Sequence, residues 1–275
     1  MNQEFECRFD EEGKLVGKNG KSVVLESQRE YDKLGEWVGK YVQDKMVQEF
    51  GMREIWVPEG EENQVNIFVS RDWEDNTNKG MIIIQGAGQV RAGVWSRSVC
   101  INESLSMGSM LPYISKAQDQ GYSLLILNPN FNHNPVSNKK IPKNSDMLNH
   151  SSYIWEQFIP KSPAKTLVIL AHSCGGICTV HLLKNHSEEF LSRIKCVAFT
   201  DSVHGTVQGL RKPARGYLSS KVLNFAASRE PLNYRLNLNN GCLNVSAGHN
   251  KHEYTSGSAF PAVFDYFQEM INKSN

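Results

Sequence analysis

The sequence predicts an α/β fold with a doubly wound, mostly parallel sheet and helices on both of its faces. Short apolar runs, such as 81–84 and 123–127, alternate with segments of helical period. Strands that are apolar throughout are buried on both faces, which is typical of parallel sheets covered by helices. The length of 275 residues fits one such domain. We therefore expect a single domain over 1–275, in which 1–70 forms a lead-in of strands and a helix.

The remaining elements are predicted from the same two patterns: apolar or alternating runs indicate strands, and a period near 3.6 residues indicates helices. Apolar residues between 31 and 50 recur near every 3.6 positions, which predicts an amphipathic helix. The segment 128–150 is rich in Asn, Lys, Ser and Pro and has little periodicity, which predicts a mobile surface loop beside the site. We expect strands at 5–9, 53–57, 65–70, 81–84, 123–127, 166–172, 195–200 and 242–246, and helices at 31–50, 106–118, 153–159, from the turn after 172 to about 185, 217–227 and 259–271.

The composition excludes several classes of protein. A hydrophobic fraction of 40%, a charged fraction of 21% and a net charge of +1 are ordinary for a globular protein. Direct nucleic-acid binding is not expected, because it depends on neutralising phosphates with a basic face. The N-terminus has no basic segment followed by an apolar one, and no apolar run approaches the roughly 18 residues of a membrane span. We expect a nuclear or cytoplasmic protein that is neither secreted nor bound to a membrane.

The six cysteines are scattered along the chain. Several lie within apolar strand or helix patterns, which indicates small buried side chains in a reducing compartment. Cys174 and Cys178 are one helical turn apart, but no His or Cys cluster completes a metal-ligand set. We therefore expect neither a metal nor a cofactor.

The most informative stretch is the one that surrounds Ser173. An apolar, β-branched run leads to this serine, and helical spacing begins directly after it. This is the pattern of the nucleophile elbow of α/β-hydrolases, in which the serine projects from a strained turn at the end of a strand. Residues two before and two after the serine must be small, and here they are Ala171 and Gly175. The fold is therefore expected to be α/β-hydrolase-like.

A serine nucleophile needs a base to take its proton and an acid to orient that base. In α/β-hydrolases the chain order is serine, acid, histidine. Asp201 follows the strand expected at 195–200, and His252 comes a few residues after the strand at 242–246. Ligand sites of parallel sheets lie at the carboxyl ends of the strands, where Ser173 also projects. These three residues form the predicted catalytic set.

Three other histidines compete with or surround this set. His249 is an alternative base, because it lies closer to the strand end than His252 does. His172 precedes the serine and is expected to point away from it and to support the elbow. His204 lies near the acid and is a weaker candidate still.

An acyl-transfer site also needs backbone donors for the oxyanion. One is expected at Cys174, directly after the nucleophile, and the other at Gly86 or Ala87 in the glycine-rich loop after the strand at 81–84. A plain tight turn is the alternative reading of that loop. Arg91, in the same loop, would favour an anionic substrate or partner, unless it is an ordinary solvated charge.

Five motifs in order resemble the Argonaute-binding protein 2 domain family, and most of all its animal members, the family-with-sequence-similarity 172 proteins. The similarity runs from about 5 to about 267. The motifs are Gln85-Gly-Ala-Gly-Gln-Val-Arg-Ala-Gly-Val-Trp95, Leu127-Asn-Pro-Asn130, Ala171-His-Ser-Cys-Gly-Gly176, Thr200-Asp-Ser-Val-His204 and Ser246-Ala-Gly-His-Asn-Lys-His-Glu253.

This resemblance implies a hydrolase-like fold and a nuclear role beside Argonaute proteins, in small-RNA-guided heterochromatin formation and co-transcriptional control of splicing. It implies chromatin or splicing proteins as further partners, and it carries the family's nucleophile, acid and base to Ser173, Asp201 and His252. The chain departs from animal members in two places. It has only the short loop up to His150 in place of a long lysine-rich insertion, and Gln85 stands where a histidine is expected.

Two functions follow from these observations. The resemblance favours a regulator that binds Argonaute and whose triad is inactive or incidental. The elbow, acid, base and glycine loop favour a serine hydrolase that acts on an ester, thioester or amide. The two are compatible, because a retained triad can serve a scaffold as a hydrogen-bonded buried cluster.

Overall fold

An eight-stranded sheet organises the computed structural model, which describes residues 5–18, 20–21, 23–134, 136–205 and 209–273. The strands are β1 (Cys7–Phe9), β2 (Leu15–Gly17), β3 (Arg53–Val57), β4 (Val65–Val69), β5 (Lys79–Ile84), β6 (Tyr122–Ile126), β7 (Thr166–His172), β8 (Ile194–Thr200), β9 (Val222–Ala226) and β10 (Leu243–Ser246). The helices are α1 (Gln28–Gln48), α2 (Arg97–Asn102), α3 (Leu105–Gly108), α4 (Leu111–Asp119), α5 (Met147–Phe158), α6 (Gly175–Asn185), α7 (Ser187–Arg193), α8 (Lys212–Lys221), α9 (Thr255–Ser258) and α10 (Phe260–Asn272), with a 3₁₀ turn at His252–Tyr254.

The order of the strands in the sheet is β3-β4-β6-β5-β7-β8-β9-β10. Strand β4 pairs antiparallel with both of its neighbours, and all the other pairings are parallel. β1 and β2 form a separate antiparallel pair. The predicted α/β-hydrolase-like fold, a doubly wound and mostly parallel sheet, is confirmed.

Two apolar cores fill the two faces of the sheet. Side chains alternate along a strand, so Val168 and Leu170 of β7 enter the core under α1, α4 and α10. Leu167 and Ile169 enter the opposite core, under α5, α6, α7 and α8. Because β7 is buried on both faces, the elbow at its end stands on the rigid centre of the sheet.

The sequence prediction is wrong for the segment 217–227. A helix was expected over the whole segment, but the observed helix α8 ends at Lys221 and the strand β9 follows without a break. The apolar spacing of 222–226 fits a short strand as well as a helical face, and no glycine or proline separates α8 from β9. As a result, β9 lies between the strand that carries the predicted acid and the strand that precedes the predicted base.

The described residues of the segment 128–150 are tied to the body of the protein. Ile141 is fully buried in the core beneath α5. Asn132 donates to the carbonyl oxygens of Pro129 (2.9 Å) and Asn144 (2.8 Å). The imidazole of His150 accepts the Asn128 N–H at 3.0 Å, and burial lowers its pKa to about 3. Polar asparagines, which predicted a loose loop, here satisfy the backbone of a folded one.

Helix boundaries differ from the predictions where local caps decide them. α5 begins at Met147, six residues before the expected start, because Asp146 caps it by accepting the Asn149 N–H at 2.8 Å. The helix expected at 106–118 is split into α3 and α4, and Pro112 stands in the first turn of α4. Within the described residues no helix has the length and apolar character that a membrane crossing requires.

Candidate active site

Ser173 occupies a strained turn between β7 and α6. Its φ of 54° lies in the left-handed region, which costs energy for a residue with a side chain. Its N–H donates to the Thr200 carbonyl at 3.1 Å, so the turn is locked to the end of β8. A Cβ at Gly175 would lie 2.5 Å from the Ile84 carbonyl oxygen, so only glycine fits there. The geometry is that of a nucleophile elbow.

Asp201 is placed directly beyond β8, also with a positive φ of 48°. Its backbone N–H donates to the Phe225 carbonyl at 2.8 Å, so β9 fixes its position. One carboxylate oxygen, Oδ1, accepts the Ala227 N–H at 2.9 Å, and the other, Oδ2, lies 2.7 Å from Nδ1 of His252. Burial pushes the pKa of Asp201 upward, but the hydrogen bonds from His252 and Ala227 outweigh it and hold the pKa below its usual value.

His252 begins the 3₁₀ turn that follows β10. Its hydrogen bond to Asp201 raises its pKa, against the opposing effect of partial burial. With Nδ1–H held by the carboxylate, Nε2 is left as the proton acceptor. The structure thus brings the predicted acid and base into contact. Among the described residues the Ser173 hydroxyl has no hydrogen-bond partner; such contacts often tighten only when substrate binds.

His172, which the sequence suggested points away from Ser173 and supports the elbow, lies against the predicted base. Its ring centroid is 4.8 Å from that of His252. Its Nδ1–H donates to the Thr200 carbonyl at 2.8 Å, and burial, followed by the charge on His252, lowers its pKa to about 4. His172 is therefore a neutral ring at pH 7, and it packs beside His252 without repelling a charged imidazolium.

The other two histidines are not brought to the acid. His249 accepts the Lys251 N–H at 3.1 Å and stacks on Tyr254 with 4.4 Å between ring centroids. His204 lies 2.7 Å from the Ser202 hydroxyl through Nδ1. Its Nε2 is 3.0 Å from the Asn240 carbonyl. Geometry therefore separates His252 from His249, which the sequence left as alternatives.

The glycine-rich loop passes close to Ser173, the predicted nucleophile. A Cβ at Gly86 would lie 2.8 Å from Ser173 Cβ and 3.3 Å from Ser173 Oγ, so the loop backbone passes directly beside the hydroxyl. In the described part of the chain, the N–H groups of Gly86, Ala87 and Cys174 donate to no protein acceptor. They stay the predicted oxyanion donors.

Sequence reasoning missed what holds this loop. Asn130 donates from Nδ2 to the carbonyl oxygens of Gly86 (2.7 Å) and Val90 (3.3 Å). Asn128 accepts the Ala92 N–H through Oδ1 at 3.1 Å. The Asn-Pro-Asn motif is thus a clamp on the oxyanion loop, and its position directly after a buried strand was the signal for it.

Arg91 of the loop and Arg97, the first residue of α2, have different surroundings. Arg97 donates to Asp32 at 3.1 Å and to Gln89 at 2.7 Å, so its charge is already paired. Arg91 lies over the Phe131 ring at 5.1 Å, and burial lowers its pKa. An anion contact at Arg91 stays a prediction. No cluster of three potential metal ligands occurs among the described residues.

These features define a protein of the α/β-hydrolase fold with a serine–histidine–aspartate arrangement at the carboxyl ends of its strands. Comparison with known proteins adds the family. The Arb2 domain model matches residues 26–134 and 131–232. The Cotranscriptional regulator ARB2A homolog of Dictyostelium discoideum is 34% identical over 98% of this chain and 80% of its own length. The human Cotranscriptional regulator ARB2A is 30% identical over 96% of this chain and 79% of its own.

Two solved structures share the fold. The histone deacetylase Clr3 superposes with a TM-score of 0.58 and 14% identity, over 91% of this chain and 41% of that one. A histone deacetylase from Saccharomyces cerevisiae has a TM-score of 0.59 and 12% identity, over 86% of this chain and 97% of that one. At this identity they show a common fold alone. The sequence matches show more: the chain belongs to the Arb2 domain family.

Proposed function

We propose that this chain is a co-transcriptional regulator that works beside Argonaute proteins, in small-RNA-guided heterochromatin formation and in the control of splicing. The observation that carries the proposal is the similarity to proteins named cotranscriptional regulators over nearly the whole chain. Argonaute, chromatin proteins and splicing proteins are its proposed partners, and the nucleus is the proposed place of action.

Immunoprecipitation of the full chain from nuclear extract, with and without ribonuclease, tests this role. We expect Argonaute to be recovered in both cases, because the proposed contact is with protein and not through RNA. The Ser173→Ala variant is the matched control. It should recover Argonaute as the parent does, since a scaffold needs no nucleophile. Absence of Argonaute and of all chromatin and splicing factors from the recovered material would contradict the proposal.

We propose further that the Ser173 site is a serine hydrolase for an ester, thioester or amide. The observation that carries this proposal is the 2.7 Å contact between His252 and Asp201, together with Ser173 at a φ of 54° at the end of β7, the strand next to β8. A histidine–carboxylate pair that can take the proton of a serine held in a strained turn is the arrangement that activates a hydroxyl.

The reaction follows from the positions of these groups. Ser173 Oγ attacks the acyl carbon while Nε2 of His252 takes its proton. The N–H groups of Cys174 and of Gly86 or Ala87 stabilise the oxyanion. The bond between the acyl carbon and the leaving group breaks, and His252 returns the proton to the leaving atom. Water, deprotonated by His252, then releases the acid and restores Ser173.

A fluorophosphonate probe read by intact mass tests the hydrolase. The parent protein should gain one adduct, and Ser173→Ala should gain none and lose roughly four to six orders of magnitude in ester hydrolysis. The matched control is Ser202→Ala, since Ser202 also contacts a histidine but has no elbow geometry. Equal labelling of the Ser173→Ala variant and the parent would show that Ser173 is not the nucleophile.

A further inference from the structure

A cavity of about 470 Å³ lies between the start of α5 and the first turns of α6. Its wall includes Cys174, the residue that follows Ser173. Neighbouring Cα atoms are about 3.8 Å apart, so the cavity begins within one residue of the nucleophile. Its volume lies within the roughly 300–1,000 Å³ of small-molecule sites. We call it the acyl cavity.

Apolar side chains form most of the acyl cavity. Met147 and Leu148 line it from α5, and Ile177 and Cys178 line it from α6. Ile177 is 39% exposed, although it stands in the first turn of a helix whose neighbouring positions are buried. When a hydrocarbon group covers apolar surface that is otherwise exposed to water, the free energy falls. The open apolar surface near Ser173 therefore favours binding of such a group.

The polar residues of the acyl cavity already have partners in the protein. Asp146 accepts from the backbone and the side chain of Asn149, as the cap of α5. The amide of Asn149 also donates to Ser145 at 2.9 Å. His181 lies 3.0 Å from the Ser152 hydroxyl, and burial lowers its pKa, so it is uncharged at neutral pH. A ligand would therefore meet the apolar groups and not these polar ones.

We propose that the acyl cavity receives the uncharged hydrocarbon chain of a fatty-acyl ester or thioester, with the acyl carbonyl at Ser173. This inference rests on the proposed hydrolase function and names its substrate class. Asp146 is the acidic residue of the lining, and its carboxyl group disfavours chains that end in a carboxylate. Hydrolysis breaks the bond between the acyl carbon and the leaving oxygen or sulfur and yields the fatty acid with the alcohol or thiol.

A series of p-nitrophenyl esters from acetate through butanoate and hexanoate to octanoate tests the chain length. We expect kcat/KM to rise by up to about fourfold for each methylene that the cavity buries. Ile177→Gln should lower the ratio of octanoate to acetate rates by about tenfold, because an amide replaces apolar wall. Val47→Gln is the matched control, since Val47 is equally exposed at 39% on a helix away from the cavity, and it should keep the ratio. A flat or falling series would overturn the inference.

A binding measurement separates this inference from the hydrolase proposal. Ligand-observed NMR with octanamide on the Ser173→Ala protein needs no catalysis. Binding that is weakened by an added Ile177→Gln change, in a protein that hydrolyses nothing, would uphold the acyl cavity while the hydrolase proposal fails. Active protein whose Ser173→Ala variant binds no octanamide would overturn the acyl cavity while the hydrolase proposal stands.

Discussion

Two histidines at the carboxyl end of the sheet, the proposed base and one that contacts Ser202, differ in the group that orients the ring. His252 has a carboxylate partner, Asp201, at 2.7 Å, and its pKa is raised. His204 has a neutral partner, the Asn240 carbonyl at 3.0 Å, and burial lowers its pKa. A negative partner stabilises the imidazolium that forms when a serine gives up its proton, and a carbonyl does so far less.

The two serines differ as well. Ser173 has a left-handed backbone and faces the loop at Gly86, where the N–H groups of Gly86 and Ala87 have no acceptor in the described structure. Ser202 gives its hydroxyl hydrogen to His204, and a side chain at Gly176 would collide with it. A serine–histidine hydrogen bond is therefore a poor marker of a nucleophile. The carboxylate, the strained turn and the free amides distinguish the proposed catalytic pair from the other.

Among changes to the groups that surround Ser173 and His252, replacement of the Asp201 carboxylate should have the largest effect on the rate. Asp201→Asn keeps the size of the side chain but favours the wrong tautomer of His252, and should lower kcat by about four orders of magnitude, as the equivalent change does in serine proteases. Ester hydrolysis measures this, and circular dichroism checks the fold. A loss of less than tenfold would remove the main difference between the two pairs.

Gly86→Ala should have the next largest effect. The added methyl would lie 2.8 Å from Ser173 Cβ, so the loop must shift and its amides lose their aim. Removing one oxyanion donor costs about two to three orders of magnitude in kcat. Gly216→Ala is the control, because a methyl there meets nothing within 4 Å on an exposed part of α8. Equal kcat for the parent and Gly86→Ala would show that the loop is only a tight turn.

The pH dependence should identify which histidine is the base. A base must be unprotonated, so kcat/KM should fall about tenfold per pH unit below its pKa. The pKa of His252 is raised above the ordinary histidine value of about 6.5. As the pH is lowered, kcat/KM should therefore begin to fall at a pH above 6.5. In the Asp201→Asn variant this acidic limb, the part of the pH profile where kcat/KM falls, should move to lower pH. A parent limb that begins below 6.5 would indicate a base like His204, whose pKa is lowered.

The parts of the site that sequence predicted are those that follow from one local pattern. A strand, Ser173 and a helix in direct succession can form only a sharp turn at the carboxyl end of the strand. Asp201 and His252 were within reach because each follows a strand, and parallel strands end at one edge. The fold class followed from the same apolar runs.

The parts that sequence missed depend on three-dimensional context. The strand β9 was not predicted, because its five residues, without flanking glycine or proline, fit a helix as well as a strand. His249 and His252 could not be separated, because the 3₁₀ turn at His252–Tyr254 decides which ring turns toward Asp201. The packing of His172 on His252 joins residues 80 positions apart in the chain, from 172 to 252, which no local period reports.

The smallest expected effect on rate, and so the sharpest test of the comparison, is that of Ser202→Ala. The Ser202 hydroxyl donates to Nδ1 of His204 and also accepts the His204 N–H at 3.3 Å. Its loss leaves a buried ring nitrogen unpaired, which should lower the free energy of unfolding by about 1–3 kcal/mol. Denaturant unfolding measures this, while kcat/KM for the acetate ester should stay within about twofold of the parent. A hundredfold loss of rate would mean that this pair takes part in the chemistry. The carboxylate would then no longer be what separates a working histidine from a structural one.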